Sequence, residues 1–281
     1  RPESTLFIHR SAYLFRPVAA PPASPMTAPN LPSAFAKEAV SSALFFLVFF
    51  GALSVFSGYV QWAIHFLMVF VFDFATGGIA NPLMVLALWI CGDNLTITAT
   101  RMAAEIVGGL LGFALTRAIL PASVSANLGC PNPAVDFDLH TAYLNEFTIS
   151  FVLTLVVLAA VNSSYGQLTS LAIIGVTVRV LLLLGSYTGS GMNPMVGLAC
   201  WNEPSLRKEH VSDLDYFNIY ISVPFVAAAV ATLLYLGLQV RDILAILLHY
   251  SLLIHYSCII LVCQLSNHCV LILNHFSITA Y

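Results

Sequence analysis

The chain has 281 residues, of which 59% are hydrophobic and 8% are charged, and its formal net charge is −3. Soluble domains contain about 45–50% apolar and about 25% charged residues, so these charges are too few to cover a soluble core. The mean hydropathy of +0.90 points the same way. The composition excludes a soluble enzyme, a nucleic-acid-binding protein and a disordered scaffold, and it predicts a protein in contact with membrane lipid.

The first 36 residues differ from the rest because they are rich in proline and weakly basic. We predict a disordered lead-in without a signal peptide, since its apolar pieces are too short. Met26 offers a start site within it. The basic residues Arg10, Arg16 and Lys37 favour a cytoplasmic N-terminus.

From residue 37 onward, apolar runs reach the length of a membrane crossing. The predicted spans are 38–57, 59–75, 97–120, 141–162, 167–186 and 216–238. Two further apolar runs, 83–91 and 195–201, are shorter. Helices of that length reach about 10–14 Å, which is less than half of a bilayer of about 30 Å. We therefore predict that both are half-helices.

The two short runs belong to an internal repeat. Residues 76–89 read TGGIANPLMVLALW, and residues 188–201 read TGSGMNPMVGLACW. They match at seven of fourteen positions, 112 residues apart. Glu38 and Glu146, which open the first and fourth spans, have nearly the same spacing. Because each copy contains three spans, the second copy must be inverted in the membrane, an arrangement found in channels and transporters.

The repeated Asn-Pro pairs predict how the half-helices begin. Asn81 and Asn193 suit the N-cap, and Pro82 and Pro194 suit the first turn, where no N–H is needed. The alternative is that the pairs are simply two helix starts. Inversion would bring the two N-termini together at mid-membrane depth, where irregular backbone must be buried or line a watery cavity.

With these motifs the chain resembles the aquaporins of the major intrinsic protein family. The paired T-G-x-x-x-N-P boxes, the two glutamates and the pattern Tyr220-x-x-Val223-Pro224 carry the resemblance, which covers residues 37–238. It implies an all-α membrane protein with six transmembrane helices and two re-entrant half-helices in an inverted repeat, with 37–120 and 141–238 as its halves. The implied function is a passive channel for water, small neutral solutes, or both.

The resemblance also assigns roles to individual residues. The pore boxes would be Asn81, Pro82, Leu83, Asn193, Pro194 and Met195. Together with the helix dipoles, they would exclude cations and protons. Glu38 and Glu146 would brace the re-entrant loops, although they are also acids of the kind favoured at helix N-termini.

Several positions depart from the family's usual pattern. The boxes read Asn-Pro-Leu and Asn-Pro-Met instead of Asn-Pro-Ala, and Val196 stands where arginine is usual. The expected selectivity constriction consists of Gln61, Leu181, Ser190 and Val196. These departures are similar to the small intrinsic proteins of plants, although the basic character of that subgroup is absent. The resemblance implies a homotetramer in the endoplasmic reticulum or plasma membrane.

The sequence leaves other interpretations open. Arg179 lies inside a predicted span, and we expect it to pair with Glu105 or Asp73 or to extend towards the interface, rather than to act as a pore cation. An ion-coupled transporter would use the same three residues as a relay. A seven-span receptor would need the apolar run 243–263 to be a genuine helix, but we expect the tail from residue 239 to be an extension without function.

We predict no enzyme activity, cofactor, metal or nucleic-acid partner, because the sequence shows no nucleophile–base pair and no typical metal-ligand spacing. The six cysteines are interpreted as small core residues rather than as disulfides. They are Cys91, Cys130, Cys200, Cys258, Cys263 and Cys269.

Overall fold

The computed structural model describes residues 30–51, 55–56, 58–71, 78–125, 128–135, 138–163, 165–208 and 210–238. The lead-in up to residue 29, Asp73 and the whole tail from residue 239 lie outside these described residues. The predictions of a disordered lead-in and of a non-functional tail therefore stay predictions.

The first helix, α1, spans Leu31–Phe50 and begins seven residues before the predicted start at Glu38. Residues 31–36, which we assigned to the disordered lead-in, are therefore helical. The side chain of Asn30 caps the helix by accepting a hydrogen bond from the Ser33 N–H (3.2 Å), and Pro32 occupies the first turn. Proline is tolerated there because that turn needs no N–H donor. The proline content of this segment therefore led to a predicted helix start that is too late in the sequence.

The remaining helices follow the predicted order. The longer ones are α2 (Gly58–Val71), α3 (Pro82–Ile90), α4 (Leu95–Ile119), α5 (Leu139–Val161), α6 (Gln167–Leu184), α7 (Pro194–Trp201) and α8 (Asp213–Leu238). A four-residue helix, Ala122–Ser125, and a short 3-10 helix, Pro204–Leu206, lie in the connections. In α1 and α8 the backbone widens into π-helical turns at Phe45–Phe50 and Asn218–Ser222. The described residues contain no strand, so this part of the chain is entirely helical.

Helix length separates the spans from the half-helices. Five helices, α1, α4, α5, α6 and α8, are long and apolar enough to cross a membrane. The helix α2 is apolar and has 14 residues, and the continuation predicted for it up to residue 75 lies outside the described part. The helices α3 and α7 have nine and eight residues and are the two half-helices. The predicted fold class is confirmed.

Small residues allow the helices of each repeat to pack closely. A Cβ atom at Gly108 or Gly112 of α4 would lie only 2.6 Å or 2.5 Å from the Cα atom of Ala39 or Ala43 in α1. In the second repeat, α5 and α8 pack against each other, and α8 has fully buried alanines such as Ala227. Small residues at helix contacts are typical of membrane bundles, where packing replaces the hydrophobic effect between helices.

Candidate channel centre

Each half-helix begins with an asparagine that caps it. The side-chain oxygen of Asn81 accepts a hydrogen bond from the Leu83 N–H (3.0 Å), and that of Asn193 accepts one from the Met195 N–H (3.1 Å). The two caps have nearly identical backbone angles, with φ of −150° and −148°. Because Pro82 and Pro194 follow directly, both helices start with a residue that lacks an N–H donor. The sequence repeat is thus a repeat of local geometry.

The two caps also bond to each other's loop. The Asn81 side-chain amide donates to the Met192 carbonyl (3.2 Å), and the Asn193 amide donates to the Ala80 carbonyl (2.9 Å). Ala80 and Met192 both adopt a positive φ, of 52° and 39°. This left-handed backbone is uncommon for residues with a Cβ atom and marks a site where surrounding contacts hold the chain. The N-termini of α3 and α7 therefore meet.

Two buried glutamates hold the backbone just before each box. The Glu38 carboxylate accepts hydrogen bonds from the N–H groups of Ile79 (2.7 Å) and Ala80 (3.4 Å). The Glu146 carboxylate accepts them from Gly191 (3.0 Å) and Met192 (3.2 Å). The bonded positions are again 112 residues apart. Both glutamates thus contact the re-entrant loops, which is the geometry that loop bracing requires.

The first half of the site has further charged groups. The Glu105 carboxylate of α4 accepts a hydrogen bond from the Asn81 backbone N–H (2.8 Å). The Arg101 guanidinium lies 3.6 Å from both Glu38 and Asp93. Burial raises the pKa of the Asp93 carboxyl, while Arg101 opposes that rise. Sequence reasoning did not assign Arg101 a role, although its position one helical turn before Glu105 was a usable signal.

The second half uses hydroxyl groups instead. Thr188 donates its hydroxyl hydrogen to the Glu146 carboxylate (2.6 Å), and the Tyr220 hydroxyl donates to the Thr188 carbonyl (2.6 Å). Asn145 completes the group by donating to the Thr188 hydroxyl oxygen (2.7 Å). Tyr220, part of the pattern noted in the sequence, therefore bonds to the turn before the second box.

The structure brings some of the predicted constriction residues together. The Ser190 hydroxyl contacts the carbonyls of Leu182 (3.0 Å) and Leu181 (3.4 Å), and Ser190 has a φ of 53°. Leu181 packs in an apolar cluster with Leu83. Val196 packs in a different cluster, which also contains Met195.

Gln61, the fourth predicted member of the constriction, is a partly buried residue of α2. The third residues of the two boxes, Leu83 and Met195, are buried and belong to separate clusters. The substitutions from the usual alanine therefore add to the apolar packing around the two half-helices.

Comparison with known proteins identifies the family. The sequence profile of the major intrinsic proteins matches residues 29–235, nearly three quarters of the chain. The chain belongs to the major intrinsic protein family. Members of this family are membrane channels, and the homologues support a multi-pass membrane protein that conducts water or small solutes rather than an enzyme.

Individual relatives place the chain within the family. Aquaporin SIP1-2 of Zea mays is 30% identical over 58% of this chain and 69% of its own length. Aquaporin-4 of Bos taurus is 30% identical over 45% of this chain, and the match covers 41% of that relative, less than half of its length. The X-ray structure of the aquaglyceroporin from Plasmodium falciparum has a TM-score of 0.61 at 17% identity, covering 73% of this chain and 96% of that chain. This last match supports the fold alone.

The structure tests one of the alternatives predicted for the intramembrane charge Arg179 of this major intrinsic protein. The guanidinium of Arg179, on α6, lies 4.6 Å from the ring centroid of Trp62 on α2. Glu105 bonds to the Asn81 backbone instead, so the alternative of an Arg179–Glu105 pair is wrong. Asp73 lies outside the described residues, so pairing with it stays a prediction. A guanidinium on the face of a tryptophan is stabilised by cation–π attraction.

Two cysteines of this major intrinsic protein form a disulfide. Cys130, in the segment before α5, is bonded to Cys200, near the end of α7, 70 residues later. The interpretation of these two residues as unbonded core cysteines is therefore wrong. Cys91 has a free thiol, and the three remaining cysteines lie in the tail, outside the described part of the chain. No spacing rule indicated the pair, because the fold alone brings the two positions together.

Proposed function

We propose that the protein is a passive channel for water, small neutral solutes, or both, with Asn81 and Asn193 at its narrow centre. The reciprocal bonds from each asparagine amide to the opposite loop are the observation that carries this proposal. An amide has two N–H donors. One of them holds the opposite carbonyl, and the other donates to the oxygen of a passing solute.

The same geometry accounts for the exclusion of cations and protons. The positive ends of the α3 and α7 dipoles converge where the two caps meet, so a cation at that point would face two repelling partial charges. The carboxylates of Glu38, Glu105 and Glu146 bond to backbone N–H groups of the loops. Neutral solutes do not face this electrostatic barrier.

We further propose that Gln61, Leu181, Ser190 and Val196 set the selectivity. A valine at position 196 removes the cationic donor that is usual in the family, so the constriction favours small neutral solutes over strict water selectivity. The proximity of Ser190 to the carbonyls of Leu181 and Leu182 supports two of the four members.

The assembly and location of the channel follow from the family resemblance. We propose a homotetramer in the endoplasmic reticulum or plasma membrane, with membrane lipid around the exposed apolar side chains of its outer helices. Leu111 on α4, Leu168 on α6 and Leu233 on α8 are examples of such exposed side chains.

The ion-coupled transporter has no comparable support. Its relay would need Asp73, Glu105 and Arg179 to exchange ions or protons along a path. Glu105 bonds to the Asn81 backbone, and Arg179 stacks on Trp62, an aromatic residue of a different helix. Within the described part of the chain, these contacts favour fixed structural roles.

The test is osmotic shrinkage of liposomes that contain the purified protein, with protein-free liposomes as the control. We expect faster shrinkage under a sucrose gradient and entry of glycerol or urea, both independent of proton and sodium gradients. Permeability equal to that of the control for water and glycerol alike would remove the channel. Uptake that follows an ion gradient would favour the transporter.

A further inference from the structure

The segment 128–134, which precedes α5, contacts the chain on both sides of the second box. We call this segment the outer strap. Its Cys130 is bonded to Cys200 near the end of α7. The Asn132 side chain donates to the Leu206 carbonyl (3.0 Å) and accepts from the Lys208 N–H (3.0 Å). The outer strap is therefore attached, covalently and by hydrogen bonds, to the half-helix and to the chain that follows it.

The outer strap also contacts the turn that precedes the second box. The Ala134 N–H donates to the Tyr187 carbonyl (2.7 Å). Gly189 has a φ of +78° and lies directly against the strap. A Cβ atom there would be 2.7 Å from the Pro131 Cα and 2.9 Å from the Asn132 nitrogen. Only glycine combines this backbone angle with so close an approach. The strap thus touches the chain on both sides of Asn193.

The opposite side of this turn is held by the protein interior. Thr188 bonds to Glu146 and accepts the Tyr220 hydroxyl at its carbonyl. Ser190, two residues further on, has a strained φ of 53° and lies against the carbonyls of Leu181 and Leu182. The turn is therefore held between the interior hydrogen bonds and the outer strap, so a loss of the strap would remove one of its two supports.

We propose that the disulfide-locked outer strap is a positioning element that fixes Ser190 and the second box and thereby sets which neutral solutes pass. This inference rests on the proposed channel function. The contacts of the strap with Cys200, Tyr187 and Gly189 are all in the half that contains the second box, so the strap serves that half. Cys130, Asn132 and Cys200 are positioning residues here, since they act on the solute path through the turn and the half-helix.

The chemistry of the disulfide also assigns the compartment that the outer strap faces. Disulfides persist in oxidising surroundings such as the lumen of the endoplasmic reticulum or the cell exterior. The basic N-terminal segment independently predicts a cytoplasmic start. With the three crossings that the sequence predicts before residue 128, of which α1 and α4 are long enough to span, the chain would reach the opposite side there. The disulfide chemistry and the predicted topology therefore agree on a non-cytoplasmic side for the strap.

The experiment compares the ratio of glycerol to water permeability in liposomes before and after treatment with a phosphine reductant. The variants are the double substitution C130S/C200S, Asn132→Ala, and Cys91→Ser as the matched control for a free thiol. We expect the ratio to rise at least about fivefold in the reduced wild type and in the double variant, the low end of typical coupling between sites. Asn132→Ala should raise the ratio with the disulfide intact, whereas Cys91→Ser should behave as the wild type.

Each result decides between the alternatives. An unchanged ratio in the reduced wild type and in the double variant overturns the proposal, provided that the oxidised protein conducts. Thiol labelling under denaturing conditions without reductant should give equal counts for the wild type and the double variant, and two extra labels on the wild type would also overturn it. If the double variant does not fold, the reduced wild type and Asn132→Ala give the answer. If the oxidised protein conducts no water or glycerol, it is the channel function that fails.

Discussion

Replacement of Glu146 by leucine tests whether this carboxylate holds the loop before the second box. The substitution introduces an apolar side chain of similar size and removes the acceptor for the N–H groups of Gly191 and Met192, both of which are buried. A buried donor left without a partner costs about 1–3 kcal/mol. The loss of partners for these two N–H groups should therefore lower the free energy of unfolding by about 2–6 kcal/mol. Thr188 retains a bond to the Gly185 carbonyl, so its hydroxyl adds little.

The matched control is Glu203→Gln, because Glu203 forms an ion pair with Arg117 that is partly exposed. Exposed ion pairs are worth about 0–1 kcal/mol, so this change should have a small effect. Thermal unfolding of the detergent-solubilised protein, followed by tryptophan fluorescence, measures stability, and osmotic shrinkage of liposomes measures conduction per protein. Glu146→Gln retains one acceptor oxygen and should lie between the two variants. Equal stability and conduction for Glu146→Leu and Glu203→Gln would refute the bracing role.

The other predictions concern the half-helices, the helix packing and the intramembrane arginine. Asn193→Ala should cost about 1 kcal/mol for the lost cap and lower water permeability in the liposome assay. Gly108→Ala should cost about 1–3 kcal/mol in thermal unfolding, because the new Cβ atom would overlap the backbone of α1. Gly237→Ala has open space around it and should leave stability unchanged or slightly higher. Arg179→Leu should leave water permeability unchanged and cost about 0.5–2 kcal/mol through the lost contact with Trp62. A large fall in permeability for this variant would instead support a pore cation.

The sequence predicted the features that depend on local geometry and on the repeat. An asparagine followed by proline is sufficient to start a helix, and two copies at one offset indicated that α3 and α7 are related by inversion. The contacts of Glu38 and Glu146 with equivalent loop positions agree with that repeat. Helix boundaries followed hydrophobic length, except at Leu31, where the proline content masked a first turn.

The features that sequence reasoning missed all depend on tertiary neighbours. Cys130 and Cys200 are 70 residues apart, and no spacing rule links them in the sequence. Glu105 was named only as a partner for Arg179 or as part of a relay, since no periodicity shows that α4 faces the first box. The guanidinium of Arg179 lies over the ring of Trp62, a contact that carboxylate pairing rules do not predict. In each case the partner lies on another helix or half-helix, so local patterns carried no signal.

In the proposed channel, water passes the meeting point of Asn81 and Asn193 while protons are excluded there. The most direct measurement records both fluxes in the same liposomes, with light scattering for shrinkage and an enclosed pH-sensitive dye for protons. We expect water permeability to rise with the amount of protein while the proton leak remains that of protein-free liposomes. A proton leak that increases in step with the protein would refute this proposal, and so would permeability to water and glycerol alike that does not exceed the protein-free value.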